Sequence, residues 1–314
     1  ARLAPKLRTH SMQDSQRPLL VYGYKDLQKI KGEAELTLDF AAPAVLLAAE
    51  KFNIHIAPEM NDTEFLLPGP IEREMKVGRK KLNDLADTRM FDNFSKHSFP
   101  LEFYRALGNV LTDRFLGVRA LAIASITPKS STLEYLLDEL PVLPGFESTE
   151  ARIDVINNWI RQFSEPQGMT KTGLYWDSMP NEARDGTTES FVKGHETGQF
   201  RSINSWLGTN TTKVFNREWL RILQTTLNDM NQFRGHYYLA ASELTLDFNV
   251  SWHRCSKCTF VFSAKQESPR CLYCLSDNTN LLDPLEDPIF RARKGFYREA
   301  TEHLINEDGV IPIS

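Results

Sequence analysis

The sequence predicts an α+β fold that is mainly helical, in which a winged-helix-like region is followed by a small four-cysteine ribbon. Apolar residues recur at helical spacing through much of residues 98–250. All four cysteines lie between Cys255 and Cys274. With 314 residues, 41% of them hydrophobic and 25% charged, the chain has the composition of a globular protein with packed cores. Its length suits roughly two domains.

The pattern divides the chain into four regions. Residues 1–97 form an N-terminal mixed α/β region, and residues 98–250 a helical region that ends in a winged-helix-like helix and hairpin. Residues 251–285 form the ribbon. Residues 286–314 form a basic helix and a strand that leads into a following domain. A start without Met and the apolar tail "GVIPIS" suggest a piece of a longer protein.

In the N-terminal region, two apolar stretches carry the prediction. "RPLLVYGY" at 17–24 reads as a strand. "LTLDFAAPAVLLAAEKF" at 36–52 reads as a strand that runs into a helix at Pro43. A run of basic residues follows at 76–81 and is interpreted as a solvated face.

The central region contains several predicted helices. One buried helical face is expected to carry Tyr104, Leu107, Leu111, Phe115 and Val118. A buried strand should end at Pro128, and helices are predicted at 132–140 and 149–163.

The region 98–250 is predicted to end in one helix followed by two short strands. Asn216 should cap a helix that extends to Met230. Two short strands, 237–239 and 243–250, then follow. Helix, strand, turn and strand is the order in which a winged-helix unit ends.

The four cysteines form two matched Cys-x-x-Cys pairs, Cys255/Cys258 and Cys271/Cys274, separated by twelve residues. Each pair reads as a tight knuckle that directs two sulfurs at one centre, and "TFVFSAKQESPR" reads as a β-hairpin that joins the knuckles. Four thiolates fill a tetrahedral zinc site and leave no open position, so we predict a structural Zn²⁺. An iron–sulfur cluster and free or redox thiols remain as alternatives.

Charge and hydropathy restrict the partners and the cellular location that we expect for the protein. The net charge is -4, so a nucleic-acid surface would have to be a local basic patch. The N-terminal residues are not followed by the apolar core of a signal peptide. The longest apolar stretch, 40–49, carries Pro43 and is too short to cross a bilayer. These features predict a cytoplasmic protein without a membrane partner, whose thiols stay reduced.

Aromatic and basic residues interleave in "IFRARKGFYREATEHL", the predicted basic helix. Single-stranded nucleic acid binds such surfaces by base stacking and phosphate contact. The candidate contacts are Arg254, Lys257, Arg291, Arg293, Lys294, Tyr297 and Arg298. The alternative is a solvated helix that turns Phe296 and Tyr297 into the core.

The usual catalytic motifs are absent from the sequence. It contains no G-x-x-x-x-G-K-[ST], G-x-G-x-x-G, G-x-S-x-G or H-E-x-x-H. We therefore assign no catalytic residue and do not expect this chain alone to be an enzyme.

The order "WHRCSKCTFVF", "PRCLYC" and "IFRARKGFYREATEHL" resembles the middle of large bacterial superfamily 2 DEAD/DEAH-box helicases with an associated DUF1998 region. This family includes helicases of phage-defence systems such as DISARM and Druantia. The resemblance implies that the four cysteines are metal ligands and that Phe296-Tyr297 match an aromatic pair of the following helix. The match is best over 251–314 and looser over 98–314, and the motor motifs are missing.

The resemblance implies a non-catalytic, zinc-stabilised accessory region of an ATP-dependent DNA helicase or translocase. ATP and Mg²⁺ would then belong to the parent protein. The implied partners are DNA, expected to be single-stranded, the motor lobes of the same polypeptide and proteins of a defence system. The alternative is a free-standing zinc-ribbon scaffold or adaptor that binds protein.

Overall fold

The computed structural model describes residues 4–52, 101–164, 174–175, 203–233, 236–303, 305–306 and 309–310. Within these ranges the chain is mainly helical with short strands, which confirms the predicted α+β class. None of the helices in these ranges combines the length and the apolar character needed to cross a bilayer. The basic run at 76–81 and the polar segment 176–202 lie outside the described residues.

The N-terminal part of the fold is a helical pair. Helix α1 (Ala4–Lys31) packs against α2 (Ala41–Lys51), which follows a 3-10 turn at Leu38–Phe40. The strand predicted at 17–24 is wrong, because these residues lie within α1. The two helices approach closely at Gly23, where a Cβ would lie 2.0 Å from the carbonyl oxygen of Ala44. Only glycine permits this approach.

The central part is a helical layer with one two-stranded sheet. Helix α3 (Leu101–Thr112) packs against α1, and β1 (Ser125–Pro128) is fully buried and ends at Pro128 as predicted. Helices α4 (Ser130–Glu139) and α5 (Thr149–Ser164) confirm the two predicted helices. Phe115 does not join the buried face of α3, because α3 ends at Thr112 and the Phe115 side chain is 59% exposed.

The following helices are interrupted by a π-helical segment. Helices α6 (Ile203–Leu207) and α7 (Thr209–Val214) precede a π-helical segment at Phe215–Trp219, and α8 (Leu220–Leu227) follows it. Asn216 lies inside the π-helical segment, so the predicted cap is wrong. Trp219, Leu223 and Leu227 are fully buried, as their spacing predicts.

The strands after α8 pair in an order that the sequence did not indicate. Strand β3 (Asn228–Phe233) forms an antiparallel pair with β4 (His236–Ala240), and β4 also pairs with β2 (Leu174–Tyr175). Strand β5 (Leu244–Asp247) pairs with β1 instead of forming a hairpin with β4. The final strand of the winged-helix-like pattern therefore belongs to the central sheet.

The ribbon contains three antiparallel strands. Strand β6 (Trp252–Cys255) lies in the middle, between β7 (Val261–Ser263) and β8 (Thr279–Leu281). The hairpin is formed by β6 and β7 around the first knuckle. The predicted hairpin that joins the two knuckles is therefore wrong, and residues 264–269 form the connection instead.

The chain continues into the basic helix, which we define as residues 288–303. It comprises α9 (Pro288–Phe290), a π-helical segment at Arg291–Gly295, and α10 (Phe296–His303). A short antiparallel pair follows, β9 (Ile305–Asn306) with β10 (Gly309–Val310).

The ribbon and the helices share one buried core. Cys255, Phe262, Cys271 and Leu272 belong to the same buried cluster as the central helices. A smaller cluster links Trp252 and Val261 of the ribbon to Phe290 and other residues. The ribbon is therefore packed into the protein and is not an isolated appendage.

Candidate metal centre

The two cysteine pairs have the same backbone conformation. In the first knuckle the Cys255 carbonyl accepts a hydrogen bond from Thr259 N–H at 2.9 Å, and Cys255 N–H donates to the Phe260 carbonyl. In the second, the Cys271 carbonyl accepts from Leu275 N–H at 3.1 Å. Thr259 and Leu275 both have a φ of 60°, in the left-handed region that costs non-glycine residues energy.

This conformation brings the four sulfurs together. The Sγ atoms of Cys255 and Cys274 are 3.5 Å apart, and those of Cys258 and Cys271 are 3.6 Å apart. All four sulfurs lie within 4.8 Å of one another. A tetrahedral zinc site with Zn–S bonds of about 2.3 Å separates its sulfurs by about 3.8 Å. The four thiols can therefore hold one metal ion, and the distances are too long for disulfides.

Burial favours the protonated form of two of the thiols when no metal is bound. It raises the pKa of the Cys258 thiol to about 11 and raises the pKa of Cys271 further. These two thiols therefore stay protonated at neutral pH without a metal, whereas a bound metal ion would deprotonate them. The chemistry of the donor set thus fits a thiolate-bound metal.

A buried arginine lies beside the sulfurs. The Arg161 side chain, from α5, donates from Nε and Nη2 to Oδ1 of Asn158, and its guanidinium carbon lies 5.5 Å from the centre of the Phe260 ring. Burial lowers the pKa of Arg161 to about 10, and attraction to Cys271 acts in the opposite direction. Arg161 therefore remains charged at neutral pH. It can offset the charge of about -2 that four thiolates and Zn²⁺ carry.

The turn after β7 is held by a carboxylate from α5. Asp154 accepts hydrogen bonds from the backbone N–H groups of Lys265 and Gln266, at 2.7 and 3.1 Å. Burial raises the pKa of Asp154 to about 6, although the two N–H groups lower it. Asp154 and Arg161 have no local sequence signal, because Lys265 and Phe260 lie 111 and 99 positions further along the chain.

His253 also lies near the centre, on β6. Its ring is 5.9 Å from that of Phe262 in a stacked arrangement, and burial lowers its pKa. Neither ring nitrogen has a hydrogen-bond partner among the described residues. The histidine is not needed as a ligand, since four sulfurs complete a tetrahedral site.

Three of the predicted nucleic-acid contacts are engaged within the protein. Arg254 is buried and donates from Nε to Oδ2 of Asp287 at 2.9 Å. Lys294 donates to the Ala120 carbonyl at 2.8 Å, and burial lowers its pKa to about 8. Arg298 donates to the Leu121 carbonyl and to Glu302. These contacts attach the basic helix to the ribbon and to the turn before β1.

The other four predicted contacts reach the surface. Lys257, Arg291 and Arg293 are exposed, and the Tyr297 side chain is 41% exposed. Arg293 is close to the first knuckle, since its Nη1 donates to the Thr259 hydroxyl at 2.5 Å. Phe296, next to Tyr297, is 64% exposed. The alternative in which Phe296 and Tyr297 enter the core does not hold within the described chain.

The fold and the site define a mainly helical α+β protein with a four-cysteine cluster that can hold a metal ion. No protein-family model matches the chain, and no solved structure matches it. A 73-residue segment, 23% of the chain, is 33% identical to the Druantia protein DruE of Escherichia coli (strain UMEA 4076-1). The segment corresponds to 4% of that protein, so the chain spans a small part of this relative.

Proposed function

We propose that this chain is a non-catalytic, zinc-stabilised accessory region of an ATP-dependent DNA helicase or translocase that acts in bacterial phage defence. The observation that carries the proposal is the four-cysteine centre: Cys255 and Cys271 lie within the core that the ribbon shares with the helices, and Cys258 and Cys274 pack against that core. A metal in that position would join the two knuckles of the ribbon, which packs against the helices through the shared core. The similarity to the Druantia protein supports the defence setting.

In this proposal the basic helix contacts single-stranded DNA through its exposed cations. Arg291 and Arg293 of the helix are exposed, together with Lys257 of the first knuckle, whereas Arg254, Lys294 and Arg298 position the helix. A local cluster of cations in a chain of net charge -4 suits a surface that binds phosphate. ATP hydrolysis, with its Mg²⁺, would be carried out by motor lobes elsewhere in the parent protein.

A salt series tests the DNA contact. The affinity of the zinc-loaded chain for a fluorescent single strand is measured against salt concentration for the wild type and for Arg291→Ala. Each lost phosphate contact should reduce the slope of log affinity against log salt by about 0.7. Arg221→Ala, at an exposed position on α8, is the matched control. Wild-type protein that fails to bind DNA would refute this part of the proposal.

The exposed apolar side chains favour one alternative, a zinc-ribbon adaptor that binds protein. Ile289, Phe296 and Tyr297 on the basic helix are between 41% and 64% exposed. Aromatic residues are enriched at protein interfaces. The two functions differ in salt dependence, because docking on apolar side chains depends weakly on ionic strength whereas phosphate binding depends strongly on it.

A further inference from the structure

A cleft of about 780 Å³ lies where the ribbon meets the helices. We call it the ribbon cleft. Its walls are residues 114–116 after α3, residues 258–261 and Tyr273 of the ribbon, and residues 293–294 of the basic helix. The volume falls in the range of small-ligand sites, roughly 300–1,000 Å³. Three separate parts of the chain thus form a single concave surface.

Aromatic rings form one side of the ribbon cleft. The rings of Tyr273 and Phe260 are stacked with centres 5.7 Å apart and planes 25° apart. Phe260 stacks in turn on the buried Phe262, with centres 6.0 Å apart. These offset arrangements are favourable for aromatic pairs. The outer rings are fixed by buried ones, and such a platform can accept a further flat ring.

Cations and one exposed ring form the other side. The guanidinium carbon of Arg114 lies 4.5 Å from the centre of the Phe115 ring, which is 59% exposed. Arg293 of the basic helix is exposed and lines the cleft beside Lys294. Among the described residues that line the cleft there is no carboxylate. A bound metal would place negative charge at the Cys258 edge, so the attraction for an anion is moderate and stacking must contribute most of the affinity.

We propose that the ribbon cleft binds one unstacked base of a single-stranded nucleic acid, with the adjoining phosphates near Arg114 and Arg293. The inference rests on the proposed function and assigns its DNA contact to particular residues. A cleft that is lined by aromatic rings and by two arginines matches a ligand that is flat, aromatic and anionic. Arg114, Phe115, Phe260 and Tyr273 become contact residues that the basic helix does not supply.

The test measures fluorescence anisotropy of a labelled oligothymidylate with the zinc-loaded 314-residue chain. Phe115→Ala removes an exposed ring, and we expect the affinity to fall at least about fivefold without a change in salt slope. Arg114→Ala should reduce the salt slope by about 0.7. Tyr135→Ala and Arg221→Ala, at exposed positions outside the cleft, are the matched controls and should bind like the wild type.

Two further measurements identify the ligand. An oligonucleotide in which one central base is replaced by an abasic site should bind the wild type more weakly and should bind Phe115→Ala with no further loss. Thymidine monophosphate should compete only at concentrations far above those of the oligonucleotide. Competition by the mononucleotide at equal concentration would overturn the inference in favour of a free nucleotide.

The outcomes separate this inference from the proposed function. If the wild type binds DNA and Arg291→Ala weakens it, but Phe115→Ala and Arg114→Ala do not, the cleft is not the contact and the proposed function remains. If the wild type binds no single-stranded nucleic acid, both are refuted. Equal losses for Phe115→Ala and Tyr135→Ala would also overturn the inference, since Tyr135 does not line the cleft.

Discussion

Arg254 and Asp287 form an ion pair that joins strand β6 of the ribbon to the start of the basic helix. The Nε–Oδ2 distance is 2.9 Å, and the two side chains are only 10% and 13% exposed. Asp287 also caps the helix, because its Oδ1 accepts from Phe290 N–H at 2.8 Å. Burial acts to raise the pKa of Asp287, but these hydrogen bonds outweigh it and hold that pKa below its usual value. The pair therefore fixes the direction in which the basic helix leaves the ribbon.

We expect Asp287→Ala to lower the free energy of unfolding by about 2–3 kcal/mol. The substitution removes a helix cap worth about 1 kcal/mol and leaves Arg254 without its ion-pair partner. The loss stays below that of a fully buried pair because the two side chains keep some contact with solvent. Urea unfolding of Asp287→Ala, Arg254→Met and the double variant measures the coupling, with the exposed Glu286→Ala as control. Additive losses would contradict the pairing.

The second prediction concerns the zinc content of the protein and its stability. We expect elemental analysis to find one zinc per chain and chelation to lower the melting temperature. Cys258→Ser should cost more than about 4 kcal/mol, the range associated with loss of a metal site. Lys257→Ser, at the adjacent exposed position, should cost little. An iron absorption band, or zinc content unchanged in Cys258→Ser, would argue against the assigned site.

Asp154 provides a third prediction, on pH dependence. Its folded-state pKa of about 6 lies above the ordinary value of 3.8, so the folded protein binds a proton more tightly than the unfolded chain. The contribution of this group to stability therefore falls as pH rises from about 4 to 6 and slightly beyond. Relative to Asp154→Asn, the wild type should lose about 1 kcal/mol of unfolding free energy between pH 5 and pH 7.

Guanidinium unfolding at constant zinc concentration checks this difference. Protonation of the cysteines affects both proteins equally and cancels in the comparison. A difference that is constant over the pH range, or that changes in the opposite sense, would show that Asp154 is ionised normally in the folded state.

Local patterns predicted the metal ligands and several central elements, and tertiary contacts decided the rest. The paired cysteines and the apolar spacing of Leu223 and Leu227 depend on neighbours in sequence, and both appear in the structure as expected. The segment 17–24 has β-forming residues and an internal Pro18, yet it is helical because α2 packs across it at Gly23. Packing against α2 therefore outweighs the β-strand propensity of this segment.

On the basic helix, too, the sequence alone does not distinguish cations that bind within the protein from cations that are exposed. The charges of Lys294 and Arg298 resemble those of Arg291 and Arg293 in the sequence, but only the structure shows that the first two donate to carbonyls of the turn 120–122. The donor and acceptor of each of these hydrogen bonds are more than 170 positions apart, so no pattern of neighbouring residues indicates them. The ribbon cleft has no local sequence signal either, since only the fold brings Phe115 and Tyr273 to the same cleft.

This distinction gives a fourth prediction, in which two kinds of cation behave differently. Lys294→Ala and Arg298→Ala should lower the melting temperature, because each removes a donor from buried carbonyls. Arg298→Ala, outside the ribbon cleft, should leave the salt slope of DNA binding unchanged. Arg291→Ala should do the reverse. Thermal unfolding and salt titrations of the same three proteins give both readouts. A reduced salt slope in Lys294→Ala, without a change in stability, would place that lysine on phosphate.

The last prediction is that the purified 314-residue chain hydrolyses no ATP, with or without single-stranded DNA. Hydrolysis requires backbone N–H groups that cradle the phosphates, a lysine on the terminal phosphates and a held Mg²⁺. The sequence has no G-x-x-x-x-G-K-[ST] loop to provide them. Phosphate release is measured with zinc and Mg²⁺ supplied, and the Cys258→Ser variant serves as the matched preparation. DNA-stimulated turnover in the wild type that is absent from a no-protein blank would refute the non-catalytic assignment, because the chain would then contain a phosphate site of another kind.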